Sequence, residues 1–201
     1  MDKVSYALGM SIGQSLMGTG VDNLNFEDFL KGVKAIYENT VAEVSAEEGN
    51  QVLNEYFTKK KAEQEKELKK EREENLQSSR DYLKENKNQD GIQTTPSGLQ
   101  YKVITQGEGK NPTSHSRVKC HYEGRLTNGQ VFDSSYKRGE PAEFSLNQVI
   151  PGWTEGLQLM KVGSKYEFHI PPALGYGEVG VPGHIPGNSV LIFTVELLDV
   201  E

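Results

Sequence analysis

The chain has little cysteine, no long apolar run and no excess of basic residues, and each shortage excludes a class of protein. Its one cysteine, Cys120, leaves no internal disulfide framework and no multi-cysteine zinc site. No stretch approaches the roughly 18 apolar residues that a membrane-spanning helix requires, so no membrane span is expected. With 22 Lys and Arg against 29 Asp and Glu, the chain is acidic by 7. This balance argues against nucleic acid as a partner, because phosphate binding needs clustered cations.

Residues 1–18 make a poor secretory signal, because they include Asp2 and contain no uninterrupted apolar core. We therefore expect a cytoplasmic protein. The alternative is a periplasmic or outer-membrane-associated protein from which a signal peptide has been removed.

Residues 1–54 show the pattern of short helices. In the first helix an apolar residue recurs at every fourth position, beside a parallel stripe of small residues: Val4, Leu8, Ile12 and Leu16, with Ser5, Gly9 and Gly13. Asn25 is a predicted N-cap for a second helix, and Ser45 with Glu48 predicts a capping box for a third. Glycine inside a helix costs about 1 kcal/mol relative to alanine, so two glycines suggest that another helix approaches closely. We predict that residues 1–54 hold two chains together as a homodimer; an intramolecular mini-bundle is the alternative.

Residues 55–90 are predicted to form a long charged helix that connects two domains. Residues 55–87 hold ten basic and nine acidic side chains and no proline, and these charges can pair at i,i+4 spacing. Leu68, Leu76 and Leu83 are too sparse for a coiled-coil seam. We expect a solvated helix that starts near Ser45 and runs for about 40 residues, or roughly 60 Å at 1.5 Å per residue. A disordered charged linker is the alternative.

From residue 91 onward the chain changes to short β-rich runs separated by Gly, Pro, Asn and Ser. The predicted strands cover residues 99–105, 117–126, 130–134, 142–146, 164–170 and 189–200. Asn128-Gly129 predicts a tight hairpin turn, and Pro151 predicts the first turn of the single helix expected here. The prediction is an α+β fold: an all-helical N-terminal module and a long connecting helix, followed by a half-wrapped antiparallel sheet around one short helix.

Patterns that could indicate other chemistry are weak. The run GYGEVG at residues 175–180 fits a dinucleotide-binding pattern, but prolines on both sides exclude the helix that must follow it. The four histidines lack the spacing of metal ligands, so we expect neither a metal nor a cofactor. The sequence alone does not exclude a catalytic triad using Ser134 or Ser135, although no nucleophile elbow surrounds these serines.

The β-rich region contains a concentration of aromatic side chains with one carboxylate, Asp133, directly among them. The rings are Tyr122, Phe132, Phe144, Trp153, Tyr176 and Phe193, with Val149 and Ile150 between them. Any one of these rings could simply belong to the core of a small β domain. Together with the segments VIPGW at 149–153 and GYG at 175–177, the set is too concentrated to be chance.

Residues 96–201 resemble, in order and over the whole domain, the FK506-binding-protein (FKBP) type of peptidyl-prolyl cis-trans isomerase. The segments that carry the resemblance are KCHYEG at 119–124, GQVFDSS at 129–135, VIPGWTEG at 149–156, PALGYG at 172–177 and LIFTVELL at 191–198. Residues 1–90 are similar to the N-terminal part of the bacterial Mip-like branch, whose members form V-shaped homodimers. The resemblance thus implies a helical dimerisation domain at 1–54, a connecting helix at 55–90 and an isomerase domain at 91–201.

The resemblance also implies a role for each matching position. Trp153 would form the floor of a prolyl pocket. The remaining lining would be Tyr122, Phe132, Phe144, Phe193 and Val149, together with Ile185 and His184 of a flap at residues 177–185. The backbone N–H of Ile150 and the hydroxyl of Tyr176 would hydrogen-bond the peptide carbonyls that flank proline, and Asp133 would sit at the pocket edge. Two departures from the small eukaryotic members mean that inhibitor affinity does not carry over: Ala142 stands where those members have an aromatic ring, and Val181 and His184 replace other flap residues.

The activity that the resemblance implies is isomerisation of X–Pro bonds in peptides and folding proteins, by desolvation and hydrogen-bond positioning in an aromatic pocket. Proline-containing peptides and unfolded proteins would be the substrates, and FK506- or rapamycin-type macrolides the inhibitors. The alternative is a dimeric holdase-type chaperone, or a proline-peptide binding module with weak catalysis.

Overall fold

The computed structural model describes all 201 residues, which form two compact units, Met1–Lys61 and Ala62–Glu201. The division falls inside a long helix. The domain boundaries expected after residues 54 and 90 therefore remain predictions about which segments fold independently. None of the helices combines the length and the apolar character that crossing a bilayer requires.

Three helices begin in the first unit: α1 (Lys3–Met17), α2 (Phe26–Tyr37) and α3 (Ala46–Asn86), of which α3 continues into the second unit. The predicted caps are present. The Asn25 side chain accepts hydrogen bonds from the first backbone N–H groups of α2, and the Ser45 hydroxyl accepts from Glu48 N–H at 3.2 Å. With 41 residues and no break, α3 confirms the single long helix, and the disordered linker is excluded.

The apolar faces of α1 and α2 are not covered within the chain. Neither helix has a buried residue. The loop between them is held to α3 by polar contacts: Lys60 pairs with Asp22 at 2.6 Å, and the Tyr56 hydroxyl accepts from Asp22 N–H at 3.1 Å. One chain by itself therefore does not form the mini-bundle that was the alternative for residues 1–54.

The second unit is built on one antiparallel sheet of seven strands in the order β1-β2-β6-β7-β3-β4, with β5 also paired to β3. The strands are β1 Ile92–Thr94, β2 Gln100–Thr105, β3 Arg117–Leu126, β4 Val131–Ser134, β5 Ala142–Ser145, β6 Lys165–Ile170 and β7 Leu191–Val200. All six predicted strands are present, and β1 was not predicted. The one-turn helix α4 (Ser135–Arg138) was also missed, whereas α5 (Pro151–Gln158) begins at the predicted proline.

Helix α5 packs closely onto the sheet because two of its residues have no side chain. A Cβ at Gly152 would lie 2.5 Å from Ile170, and a Cβ at Gly156 would lie 2.7 Å from the ring of Phe168. Both contacts are to β6. Trp153 and Leu157, on the same helix, are buried in the core of the second unit. This close approach brings the indole of Trp153 against the sheet.

The last part of α3 belongs to the second unit and contacts its sheet. The Tyr82 hydroxyl lies 2.8 Å from His169 Nδ1 of β6, and Asn86 donates to the side chain of Gln100 at 2.8 Å. Gln100 in turn donates to the carbonyl of Leu83 at 2.8 Å. The expectation that the whole helix is a solvated spacer was therefore wrong for this part, because one of its faces is occupied by the sheet.

We predict that Gly156→Ala destabilises the second unit by about 1–3 kcal/mol, since the added methyl group would force the ring of Phe168 or the helix to move. Denaturant unfolding followed by Trp fluorescence measures the change. Gln158→Ala, an exposed position on the same helix, is the control and should change the free energy of unfolding by less than about 0.5 kcal/mol. Equal stability of both variants would contradict the close packing of α5.

Candidate active site

The second unit contains a cavity of about 470 Å³ between α5, the sheet and the loop that follows β6. All eleven residues that the sequence analysis assigned to the site line it: Tyr122, Phe132, Asp133, Phe144, Val149, Ile150, Trp153, Tyr176, His184, Ile185 and Phe193. Val181 and Gln148 complete the lining. Residues up to 71 positions apart in the sequence, Tyr122 and Phe193, thus line the same cavity.

Trp153 forms the floor, with three aromatic rings standing edge-on around it. The indole centroid lies 5.1 Å from the ring of Tyr122, 5.3 Å from Phe144 and 5.2 Å from Phe193, at interplanar angles of 80–89°. Edge-to-face pairs at this spacing are favourable beyond their burial of area. Phe132 extends the wall by meeting Phe193 at 5.5 Å. The rings pack against one another as well as lining the cavity.

The flap closes one side of the cavity. Val181 and Ile185 exchange two backbone hydrogen bonds of 2.8 Å each, which fold residues 181–185 into a tight loop. Gly180 and Gly183 adopt left-handed φ values of 68° and 77°, which residues with a side chain rarely take. The side chains of Val181, His184 and Ile185 face the cavity as a result.

Asp133 is engaged by two neighbours at the cavity edge. The Tyr122 hydroxyl donates to one carboxylate oxygen, and the Arg138 guanidinium forms a short ion pair with the other. Arg138 also donates to the Tyr122 oxygen at 2.8 Å. Burial alone would raise the pKa of Asp133, but the hydrogen bonds from Tyr122 and Arg138 and the charge of Arg138 outweigh it and lower that pKa. Asp133 is therefore a carboxylate at neutral pH and a poor proton donor.

The two tyrosines at the cavity remain protonated at neutral pH. Burial, together with the hydrogen bond to Asp133, raises the pKa of Tyr122 to about 12. Burial and the charge of Asp133 also raise the pKa of Tyr176. Both hydroxyls can therefore donate a hydrogen bond.

Two hydrogen-bond donors at the cavity have no acceptor within the protein. The Tyr176 hydroxyl makes no hydrogen bond, and its side chain is 41% exposed. The backbone N–H of Ile150, just before α5, is also unbonded. Both residues line the cavity, so both donors are open to it.

The catalytic triad using Ser134 or Ser135, which the sequence alone did not exclude, is not formed. Ser135 Oγ lies 3.0 Å from His121 Nδ1, but Ser135 is fully buried and its oxygen accepts a hydrogen bond from Tyr122 N–H at 2.8 Å. Ser134 caps α4 by accepting from Lys137 N–H. Both serines therefore serve the local backbone.

Sequence reasoning missed Arg138 and Gln148. Arg138 reaches Asp133 because α4 makes a single turn after it, starting at the Ser134 cap and ending at Gly139 with a φ of 81°. This cap-and-glycine pattern was a usable signal for the turn. Gln148 sits in a 3-10 turn before Val149, and no pattern in the sequence marks its side chain.

Comparison with known proteins agrees with this fold. A family model described as FKBP-type peptidyl-prolyl cis-trans isomerase matches residues 108–198, and one described as the domain amino terminal to that isomerase matches residues 1–103. The chain therefore belongs to the FKBP-type peptidyl-prolyl cis-trans isomerases and is an isomerase.

Its relatives place it with the bacterial FkpA and Mip proteins. The FKBP-type 22 kDa isomerase of Escherichia coli K12 is 42% identical over 198 residues, covering 98% of this chain and 94% of that protein. The outer membrane protein MIP of Legionella longbeachae is 39% identical over 200 residues, covering 100% and 85%. The crystal structure of FkpA from Escherichia coli superposes with a TM-score of 0.79 at 37% identity, covering 99% of this chain and 95% of that one.

We predict a flat pH profile of kcat/KM for a short proline peptide between pH 7 and 9. Across this range Asp133 stays ionised and Tyr122 and Tyr176 stay protonated, so none of the three changes charge. Peptide isomerisation at constant ionic strength measures the profile. A step in kcat/KM within this range would contradict the assignment.

The lowered pKa of Asp133 sets the sign of its effect on stability. The stabilisation from its ion pair and hydrogen bond is present above the usual aspartate range of about 4 and is lost as the pH falls through the lower value in the folded state.

Proposed function

We propose that the cavity binds the proline ring of an X–Pro peptide and accelerates rotation about the bond that precedes it. The observation that carries the proposal is the pair of unbonded donors, Tyr176 hydroxyl and Ile150 N–H, beside an aromatic floor. No activated nucleophile accompanies them, because Ser135 is buried and Asp133 is held by Arg138. Such a site suits a reaction in which no covalent bond is broken.

The barrier to this rotation is about 18–20 kcal/mol and comes from amide resonance. Resonance places negative charge on the carbonyl oxygen, which water stabilises. The rings around Trp153 replace water with apolar surface, so they favour the twisted and less polar amide. Each 1.36 kcal/mol gained in the transition state increases the rate tenfold.

The two donors would fix the chain on either side of proline. When the Ile150 N–H and the Tyr176 hydroxyl hold the flanking carbonyls, one side of the bond can turn while the other stays in place. Asp133 would shape the field and hold Tyr122 and Arg138 in position, with no proton transfer. We propose further that FK506-type macrolides occupy the same cavity and compete with peptide.

We predict that Tyr176→Phe lowers kcat/KM for a proline-containing tetrapeptide about fivefold, which corresponds to one hydrogen bond of about 1 kcal/mol. The control is Tyr136→Phe. Tyr136 lies outside the cavity and its hydroxyl donates to Glu196, so this variant should keep the wild-type value. Equal activity of wild type and Tyr176→Phe would place the donor elsewhere.

We also propose that the first unit joins two chains into a homodimer. Apolar side chains stay exposed on both helices: Val4, Leu8, Met10 and Ile12 on α1, and Phe26, Leu30, Val33 and Ile36 on α2. Apart from the neighbouring residues and backbone of α1 itself, no atom comes within 4 Å of a Cβ built at Gly9 or Gly13, so the stripe of small residues is open to a helix from a second copy. An apolar hollow on α2 adds to this open surface.

We expect light scattering to give a mass of twice 22.4 kDa for the full chain. Leu8→Glu places a charge on the exposed apolar stripe and should shift the protein to a monomer without unfolding it, because this side chain is 62% exposed in the single chain. Gln14→Glu adds the same charge on the opposite face of α1 and should leave the mass unchanged. A monomeric wild type would rule out the dimer.

A second candidate function is that of a dimeric chaperone that holds unfolded chains. The proposed homodimer favours it, because two copies would present two cavities to one unfolded chain. The Leu8→Glu variant separates the two functions. A tetrapeptide fills one cavity, so monomer and dimer should act on it equally. An unfolded protein can engage two binding surfaces, and this avidity can be worth 10² or more in affinity, so only the dimer should keep full activity in proline-limited refolding.

The location of the protein is a separate proposal. The name of the Legionella relative refers to the outer membrane, and this favours the periplasmic or outer-membrane-associated alternative over the cytoplasm. We adopt that alternative, which cell fractionation tests.

A further inference from the structure

The flap of the cavity rests on helix α3. Three hydrogen bonds join them at Gly187 and Asn188, the two residues that we call the flap base. Ser79 Oγ donates to the carbonyl of Asn188 at 2.6 Å, and Asn75 donates to the carbonyl of Gly187 at 3.2 Å. The side chain of Asn188 donates back to the carbonyl of Arg72 at 3.0 Å. Positions 72, 75 and 79 lie on one face of the helix.

Both Ser79 and Asn188 are buried where α3 meets the flap base. Ser79 is the single buried residue of the 41-residue helix, with 6% of its surface exposed. Asn188 is equally buried and has a left-handed φ of 59°. A Cβ at Gly187 would lie 3.2 Å from the side chain of Arg72 and 2.0 Å from the carbonyl oxygen of Glu178. Only glycine fits at that position.

The flap base is tied directly to the residues that line the cavity. The N–H of Asn188 donates to the carbonyl of Gly177 at 2.8 Å, which joins the two ends of the flap. Gly177 follows Tyr176, and Gly187 lies two residues after Ile185. A displacement of the flap base would therefore move both the Tyr176 donor and the Ile185 wall.

Few apolar contacts hold the flap otherwise. Val179 is 63% exposed. Of the flap residues, Ile185 is buried within the core and Val181 packs against it partly buried. A loop held by few apolar contacts opens at low free energy, so the hydrogen bonds from α3 add to the stability of the closed flap.

We propose that Asn75 and Ser79 of α3 are positioning residues of the isomerase, which hold the flap in the conformation that completes the cavity. The proposal rests on the proposed binding of peptide in that cavity. In this proposal, the part of α3 from about residue 72 onward supports the active site. The two side chains act through the flap base and do not touch the substrate.

The expected effect follows from the population of closed flap. If the binding-competent conformation is only partly populated, the apparent dissociation constant rises by the inverse of that fraction. Removing the Ser79 hydroxyl should raise KM for a proline tetrapeptide, and Kd for FK506, about two- to fivefold. Once substrate is bound and the flap closed, kcat should stay near the wild-type value.

The experiment compares Ser79→Ala and Asn75→Ala with Ser78→Ala in the full-length protein. Ser78 is the exposed neighbour of Ser79 on the same helix, so its loss controls for removal of a hydroxyl from α3. Ser79→Thr retains a donor and should recover most of the wild-type KM. Asn75 is only half-buried, so Asn75→Ala serves if Ser79→Ala does not fold.

Amide hydrogen exchange supplies the readout that a merely structural role would not give. In Ser79→Ala and Asn75→Ala, the amides of Val181, Ile185 and Asn188 should exchange faster, while those of β7 keep their wild-type rates. Faster exchange of the flap together with a raised KM supports the proposal. Unchanged flap exchange, uniform acceleration across the second unit, or a mobile flap with an unchanged KM would each overturn it.

Failure of the proposed function gives a different result. If wild-type protein bound neither the tetrapeptide nor FK506 in the cavity, or if Tyr176→Phe behaved as wild type, the substrate assignment would fall. The exchange rates of the flap would still report whether α3 holds it. The two claims are thus tested by separate measurements on the same set of variants.

Discussion

The edge-on packing of Trp153 against Tyr122, Phe144 and Phe193 is the interaction on which the rest of the second unit depends. The indole belongs to the hydrophobic core and to the floor of the cavity at the same time. Its position requires α5 to lie close to β6, which the glycines at 152 and 156 permit. Stability and the proposed function therefore share residues, because the rings that hold the helix to the sheet are also the apolar lining of the cavity. Truncating a buried aromatic side chain typically costs about 3–5 kcal/mol, so the floor cannot vary independently of the fold.

Unlike the apolar rings of the floor, the groups at the cavity edge are held by hydrogen bonds and an ion pair. Asp133, Arg138 and Tyr122 satisfy one another, so the carboxylate is retained as an anion and is not available as an acid. At the edge of the aromatic cavity the Asp133 carboxylate is ionised, and Arg138 neutralises its charge. A peptide in the cavity would therefore meet no carboxylic acid that could give it a proton. This arrangement fits a rotation reaction better than a hydrolysis, and it agrees with the isomerase family to which the chain belongs.

The sequence predicted most of the fold because its signals were local. The caps at Asn25 and Ser45, the turn at Asn128-Gly129 and the proline that opens α5 each act within a few residues. The strand β1 was missed because three residues at a sheet edge carry too little alternation. Nine of the eleven site residues stood out in the sequence as a concentration of aromatic and aliphatic side chains around Asp133, and the family resemblance added His184 and Ile185. The structure brings all eleven together around one cavity. Their roles stay proposals. The turn that carries Arg138 was marked in the sequence only by the Ser134 cap and Gly139, and no pattern marked Gln148.

The part of α3 that contacts the flap base shows most clearly why hydrophobic periodicity did not predict this contact. A helix that packs against apolar side chains displays apolar periodicity, but part of this one packs against the backbone carbonyls of a loop. Its matching residues are therefore Asn75 and Ser79, and they are hidden among charged neighbours that suggest a solvated spacer. If these contacts hold the flap closed, linkage requires the coupling to be reciprocal. A peptide that orders the flap would strengthen the hold of α3 on the flap base by the same factor by which α3 strengthens peptide binding.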